Sequence, residues 1–99
     1  MKHKVNKHKK QRSAADKIVY LAAIIEPFFV LPQIIQIFRL ENAESISLLT
    51  WVGLNFLTAV WIWWAILSKE KVIIIYQGMY FFFNSIVILG ALMYNAKWI

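Results

Sequence analysis

Hydrophobic side chains in this chain are gathered into three long runs instead of alternating with polar ones. The runs cover residues 18–38, 47–67 and 72–94, and their only charged side chain is Glu26. A helix of 21 residues is about 31 Å long, close to the thickness of a bilayer's hydrocarbon layer. Apolar residues occupy every side of each helix, which disfavours an amphipathic surface helix. The pattern predicts an all-α membrane protein with three transmembrane helices.

Short polar connections separate the runs and limit how the helices can be arranged. The second connection, residues 68–71, is so short that the helices on either side are expected to be antiparallel neighbours. The first connection, residues 39–46, is also short, and Ser45 or Ser47 is suited to cap the helix that follows. We therefore predict one triple-helix bundle over residues 18–97.

Positive charge is concentrated in a basic amino-terminal tail, residues 1–17, which holds seven of the eleven Lys and Arg residues. We predict that residues 1–16 are disordered in water, because they are Lys-rich and have no apolar periodicity. The tail is either attracted to anionic lipid or serves as a topology signal, and it lacks the interleaved aromatic residues of a nucleic-acid binder. The tail and second connection carry nine Lys and Arg, against two in the first connection and carboxy terminus. This bias places the amino terminus in the cytoplasm.

Composition argues against an enzyme. The chain has no cysteine, and its two histidines, His3 and His8, both lie in the basic tail. The absence of cysteine excludes disulfides, thiolate metal sites and cysteine nucleophiles. The position of both histidines in the tail argues against a buried imidazole base. The sequence contains no nucleophile–base arrangement, metal-ligand set or phosphate-binding loop, so we expect no catalytic site, metal or cofactor.

Glu26 stands out because it is the only charged residue in the apolar runs. It lies eight residues past Ile18, about 12 Å along a helix and well inside the hydrocarbon layer. An ionised carboxylate there costs about 2.5–3.5 kcal/mol on insertion scales. Three interpretations follow: a proton- or cation-coupling site, a protonated side chain that joins helices by hydrogen bonds, or a carboxyl group that wets a lumen.

Two prolines interrupt the first run. Pro27 and Pro32 each remove a backbone donor and clash with the preceding turn, so the freed carbonyl groups need partners in protein or water. The side chains of Gln33 and Gln36 are placed to satisfy backbone groups that a kink exposes. We predict a kinked first helix, with Glu26 directed inward by the proline beside it.

A longer pattern surrounds the second proline. The segment LPQIIQIFRLENAESIS begins at Leu31, with a Pro-Gln pair late in the first helix and Ser-Ile-Ser at the start of the second. Trp61 follows Pro32 by 29 residues, within AVWIWWAIL. Together these features resemble the PQ-loop superfamily, and the three-helix length resembles its bacterial SemiSWEET sugar transporters, which are single triple-helix units of the SWEET fold. The resemblance covers residues 18–94.

The resemblance implies a parallel homodimer in the bacterial inner membrane, enclosing a central pocket that passes a mono- or disaccharide by alternating access. Pro32 would be the hinge of a gate, with Gln33 beside it, and Trp61 would stack on the sugar. The family's third-helix asparagine aligns with Gln77, and Asn84 lies two turns further on the same face, so either residue could supply the sugar-binding amide.

The chain departs from the family in two respects. The family pattern L-W-x-x-Y-G reads V-W-I-W-W-A here, so Trp64 replaces the tyrosine and Ala65 replaces the glycine. The family topology also places the amino terminus outside the cell, opposite to the charge bias. We give the charge bias more weight for this chain, because nine against two is a large asymmetry.

The residue types also predict a solute site at the bundle centre. A sugar presents apolar C–H faces and many hydroxyl groups, so it suits a flat aromatic surface with amide donors and acceptors. Trp61 offers the surface, and Gln77, Asn84 and Asn55 offer the amides. For Asn55, the stronger alternative is a hydrogen bond between helices.

Three functions remain open from the sequence. The leading hypothesis is a homodimeric transporter that facilitates diffusion of a small sugar. The second is a PQ-loop carrier for a cationic or amino-acid solute, proton-coupled through Glu26. The third is a non-transporting accessory membrane subunit. The expected partners are a small polar solute, membrane lipid and a second copy of the chain, with no nucleic acid.

Overall fold

The protein is described by a computed structural model of residues 2–99, with side chains from Ser13 onward. Three helical segments are long and apolar enough to cross a membrane, which confirms the predicted spans: Ser13–Leu40, Leu48–Leu67 and Lys71–Met93. In order, the elements are α1 (Lys2–Ile25), a 3-10 segment (Glu26–Val30), α2 (Leu31–Leu40), α3 (Leu48–Leu67) and α4 (Lys71–Met93).

The amino-terminal tail is helical in the structure, in contrast to the predicted disorder. Helix α1 begins at Lys2 and continues without interruption to Ile25. Lys, Gln, Arg and Ala are strong helix formers, and a tail that extends an existing helix needs no new nucleus. The predicted attraction of the tail to anionic lipid depends on its Lys and Arg side chains. Most of these precede Ser13 and lie outside the described side chains.

The first span is broken by the 3-10 segment between α1 and α2. Pro32 has no N–H to donate to the carbonyl of Phe28, and that carbonyl accepts a hydrogen bond from Leu31 instead. Pro27 likewise gives the preceding turn no donor, and its ring is fully buried. The irregular stretch therefore begins at Glu26, contains Pro27 and ends before the Pro-Gln pair.

Helix α4 is the central element of the bundle. It packs against α3 on one side and against the whole first span on the other, whereas the backbones of α3 and the described first span do not meet. The first span approaches α4 closely at Gly90, where an added Cβ would lie 2.9 Å from Ile37 Cγ2 and 3.0 Å from Phe38 Cε2. Two flanking helices on one central helix leave a gap between them.

One end of this gap is sealed. We call it the first-loop end, since residues 41–47 connect α2 to α3 there. Its side chains form the buried core of the bundle: Ile37, Ala43, Ile46, Val87 and Ala91. The Phe38 and Tyr94 rings pack edge to face beside this core, with centroids 5.7 Å apart. The apolar core thus joins α2, α4 and the first loop.

A carboxy-terminal strap, residues 94–98, also closes the first-loop end. The amides of Leu48 and Leu49, which have no partner within α3, donate to the carbonyls of Lys97 and Trp98 at 2.9 Å and 2.8 Å. Ser47 caps the same helix by accepting from the Thr50 amide at 3.2 Å. The strap and the cap therefore satisfy the start of α3 and tie it to the end of α4.

The opposite, second-loop end is loosely packed. A three-residue turn, residues 68–70, joins α3 to α4 there. Of residues 13–25 in α1, Ala23 alone is buried. The remaining apolar side chains of residues 13–25 are exposed, as expected for a helix that faces lipid or a second copy. The gap between α1 and α3 therefore stays open at this end.

Candidate functional site

The open part of the gap forms a groove of about 430 Å³. The 3-10 segment and α3 form its walls, and α4 forms its floor. Its lining contains aromatic rings, amides and hydroxyl groups, and none of its nine residues is charged: Val30, Trp51, Leu54, Leu57, Thr58, Trp61, Gln77, Tyr80 and Asn84. Three of the four predicted substrate-binding residues thus meet in one groove at bilayer depth.

The α3 wall is built by helical periodicity. Trp51, Leu54, Thr58 and Trp61 follow one another at intervals of three or four residues, which places them on one helix face. The Trp61 ring is 50% exposed, so a large part of its surface is free for contact. It meets Trp64 edge to face at 5.8 Å between centroids, and this contact fixes the ring's orientation.

The α4 floor supplies the polar groups. Gln77, Tyr80 and Asn84 are spaced i, i+3 and i+7 and lie on the same face. Asn84 is buried, with only 4% of its surface exposed, whereas Gln77 is half-buried. Seven residues of helix separate their Cα atoms by about 10 Å, so the two amide groups lie at different depths of one groove.

Two groove residues, Thr58 and Tyr80, were not singled out by the sequence analysis. Thr58 is buried and donates its hydroxyl proton to the Leu54 carbonyl at 2.8 Å, which leaves its lone pairs free to accept. Tyr80 contributes a phenol group within the floor. Helical spacing could have identified both residues, because Thr58 lies three residues before Trp61 and Tyr80 lies three residues after Gln77.

Asn55 lies outside the groove. Its Nδ2 donates to Ser85 Oγ at 3.2 Å across the contact between α3 and α4, and the Ser85 hydroxyl donates to the Phe81 carbonyl at 2.7 Å. Its Oδ1 is buried without a partner in the structure. This placement corresponds to the alternative interpretation of Asn55, an interhelical hydrogen bond.

Glu26 is exposed and begins the 3-10 segment, which packs against α4. Its carboxyl group lies beside the hydroxyl of Tyr80, which lines the groove. The carboxyl group itself is not part of the groove lining. Glu26 therefore lies outside the groove, and Tyr80 separates it from the groove.

Pro32 and Gln33 lie on different faces of α2. Pro32 is exposed beside Gln36 and Arg39 on the outer face. Gln33 is half-buried and lines a second, polar pocket of about 270 Å³, which the first loop completes with Asn42, Glu44 and Ser45. Neither residue lines the groove.

The groove can bind a neutral solute that has both apolar faces and hydroxyl groups. Trp61 provides a flat surface, and the amides and hydroxyls of α4 and Thr58 provide donors and acceptors. No group of His, Asp or Glu residues able to hold a metal ion exists among residues 13–99. A comparison of the chain with protein-family models, curated proteins and solved structures found no match.

Proposed function

We propose that this protein is a membrane carrier for a small neutral polyol, such as a mono- or disaccharide. The observation that carries the proposal is the uncharged groove, whose lining includes Trp61, Gln77 and Asn84. Amide and hydroxyl groups in a groove within a span are costly in lipid unless water or a solute meets them. A sugar satisfies such a lining better than an ion, because no lining residue offers a countercharge.

The carrier would work as a parallel homodimer. The groove is open along one side of the protomer, and a second copy facing it would turn two half-sites into one enclosed cavity. One groove lies at the lower end of the range of about 300–1,000 Å³ that small-molecule sites occupy, and two would about double it. Exposed apolar side chains flank the groove, as expected for a surface that lipid or a second copy covers.

A carrier of this kind, without ion coupling, would move the solute down its concentration gradient. The groove would open alternately to the two membrane faces, and binding energy alone drives no net movement. The break between α1 and α2 supplies a place where the first span can bend. The resemblance to SemiSWEET transporters and a location in the bacterial inner membrane belong to this proposal.

Uptake into liposomes tests the carrier. Purified protein should give saturable uptake of glucose or sucrose, and Trp61→Ala should lower the rate at low solute by about tenfold or more, because the aromatic surface is lost. Trp63→Ala is the matched control: Trp63 is 64% exposed and lies outside the groove. Equal losses in the two variants would contradict a role for the groove.

A second candidate is a carrier for a cationic or amino-acid solute, coupled to protons through Glu26. It is favoured by the position of the Glu26 carboxyl group beside Tyr80 at the groove. Glu26→Gln should then abolish the pH dependence of uptake of a cationic solute such as lysine. An unchanged pH profile would rule out coupling through Glu26, and absence of flux for sugars and cationic solutes alike would favour a non-transporting accessory subunit.

A further inference from the structure

We propose that the first-loop end carries a phospholipid site that selects a headgroup with a primary ammonium group, as in phosphatidylethanolamine. Arg39 binds the phosphate, Glu44 binds the ammonium group, and an apolar crevice on α2 takes the start of an acyl chain. The site shares no residue with the groove, so lipid binding can be tested apart from the carrier function.

An open crevice of about 470 Å³ lies on the outer face of α2. Its lining consists of Pro32, Ile35, Gln36, Arg39 and Leu40. Pro32, Ile35 and Arg39 follow one another at intervals of three or four residues, which places them on one helix face. Ile35 and Leu40 are exposed apolar side chains, whereas Arg39 lies in the last turn of α2, at the end of the span. An arginine at that depth extends its guanidinium group to the membrane surface, where lipid phosphates lie.

The polar pocket beside the first loop adjoins this crevice, because Gln36 and Leu40 line both. Glu41 ends α2 in the left-handed conformation, with φ 49°, and turns the chain back. The loop then reaches Gln33 and completes the pocket, whose remaining polar side chains are those of Asn42, Glu44 and Ser45. Glu44 is the only charged residue among the seven that line the pocket.

The chemistry of the polar pocket suits an ammonium group that has N–H bonds. The Glu44 carboxylate and the side-chain oxygens of Gln33 and Ser45 accept hydrogen bonds, and an –NH₃⁺ group donates three. Asn42 Oδ1 accepts from the Glu44 amide at 2.8 Å, which holds the loop residue that carries the carboxylate. A choline headgroup has no N–H to donate, and a glycerol headgroup has no positive charge, so the pocket distinguishes these lipids from phosphatidylethanolamine.

The order of polarity along α2 favours a lipid over a soluble amine. Seven residues of helix separate Pro32 from Arg39, so apolar surface continues about 10 Å into the span below the guanidinium group. A soluble amine leaves this surface uncovered, whereas an acyl chain attached to the same phosphate covers it. A second copy is proposed to pack against the groove, which shares no lining residue with the crevice or the polar pocket, so this face is left to lipid.

Native mass spectrometry of the detergent-purified protein tests the site. The protein is titrated with phosphatidylethanolamine, phosphatidylcholine and phosphatidylglycerol that have the same palmitoyl and oleoyl chains. Phosphatidylethanolamine should bind about fivefold more tightly than the other two, because it alone pairs with both Arg39 and Glu44. Glu44→Gln should reduce this preference to less than about twofold. Glu41→Gln is the matched control and should keep it, because Glu41 is exposed in the same loop and lines neither pocket.

Two further measurements separate the parts of the site. Arg39→Gln should weaken binding of all three lipids by a similar factor, about fivefold, because they share the phosphate. Glycerophosphoethanolamine, which has the headgroup without acyl chains, should not compete at the concentration at which the lipid saturates. Arg39, Glu41 and Glu44 are all exposed, so the variants should melt at the wild-type temperature in detergent.

Equal binding of the three lipids by the wild-type protein would overturn the proposal, as would equal loss of preference in Glu44→Gln and Glu41→Gln. Competition by glycerophosphoethanolamine would mean that the crevice holds no acyl chain and would also contradict a lipid site. Disulfide cross-linking of Gln36→Cys between two copies, without bound lipid, would show that a second copy covers this face instead. Loss of the lipid preference in Glu44→Gln with sugar uptake absent in every variant would support the lipid site and contradict the carrier function alone.

Discussion

At the first-loop end, a buried core and main-chain hydrogen bonds hold α2, α3 and α4 together. At the second-loop end, the described part of α1 and α3 each pack on α4, and their backbones do not meet. Large apolar side chains occur at both ends, so hydrophobicity alone does not create this difference. The difference in packing comes from irregular backbone. The first loop and the strap pair their polar groups with each other, and that pairing requires close packing.

The groove lies on the open side of this contrast. Its amides and Trp61 occupy the region that the core does not fill, whereas the sealed end contributes Val30 and Trp51 at its margin. A site next to a rigid end can keep its geometry while the other end moves. Substitutions at the two ends should consequently have different effects on stability and on uptake.

The largest effect on the sealed end is expected from Gly90→Ala. The new Cβ would lie within 3.1 Å of side-chain atoms of Ile37 and Phe38, so these side chains must shift and stability should fall by about 1–3 kcal/mol. Thermal unfolding in detergent measures the change. Gly53→Ala is the control, because nothing lies within 4 Å of its added Cβ, and it should be neutral or stabilising. Equal destabilisation by both would mean that the close approach does not exist.

A smaller effect on the same end is expected from Asn95, the second residue of the strap. Its φ of 66° is in the left-handed region, which glycine and asparagine tolerate and β-branched residues do not. Asn95→Val should lower stability by about 1–2 kcal/mol and loosen the start of α3, whereas Asn95→Gly should cost much less. If the two variants melt at the same temperature, the strap does not adopt this conformation.

The smallest effect is expected from Asn55. Asn55→Leu removes one interhelical hydrogen bond, worth about 0.6 kcal/mol on average in membrane helices, and also removes a buried carbonyl oxygen that has no partner. Stability should therefore change by less than about 1 kcal/mol, and sugar uptake should be retained. Gln77→Leu is the comparison variant and should impair uptake. A comparable loss of uptake in Asn55→Leu would place Asn55 at the solute after all.

The sequence predicts the spans well, because uninterrupted apolar runs have no other stable arrangement in water or lipid. Of the four residues predicted to bind the solute, Trp61, Gln77 and Asn84 line one groove, whereas Asn55 contacts Ser85 outside it; the choice of Gln77 and Asn84 comes from the family resemblance. The 3-10 segment is only partly predictable. Two prolines predict a break in the helix, but the position of the break depends on which amide donates to the Phe28 carbonyl. The strap is not predictable, because carbonyl groups that cap α3 leave no side-chain signature.

Glycine illustrates the same limit. Gly53, Gly78 and Gly90 all occur in apolar runs, yet only Gly90 has a neighbour within 4 Å of an added Cβ. Close approach is a property of two surfaces, and the sequence of one helix does not show which partner faces it. The sealed end therefore becomes visible only when the helices are placed together.

The most direct test of the central claim, a wet groove at bilayer depth, is thiol reactivity at two neighbouring positions of α4. Gln77→Cys places a thiol in the groove, and Ile75→Cys places one at nearly the same depth on an exposed apolar face. A thiol reacts with a charged, membrane-impermeant reagent as the thiolate, which requires water. We predict rapid labelling at position 77, slowed by saturating glucose or sucrose, and almost none at position 75. Equally slow labelling at both positions would contradict the groove and the carrier function built on it.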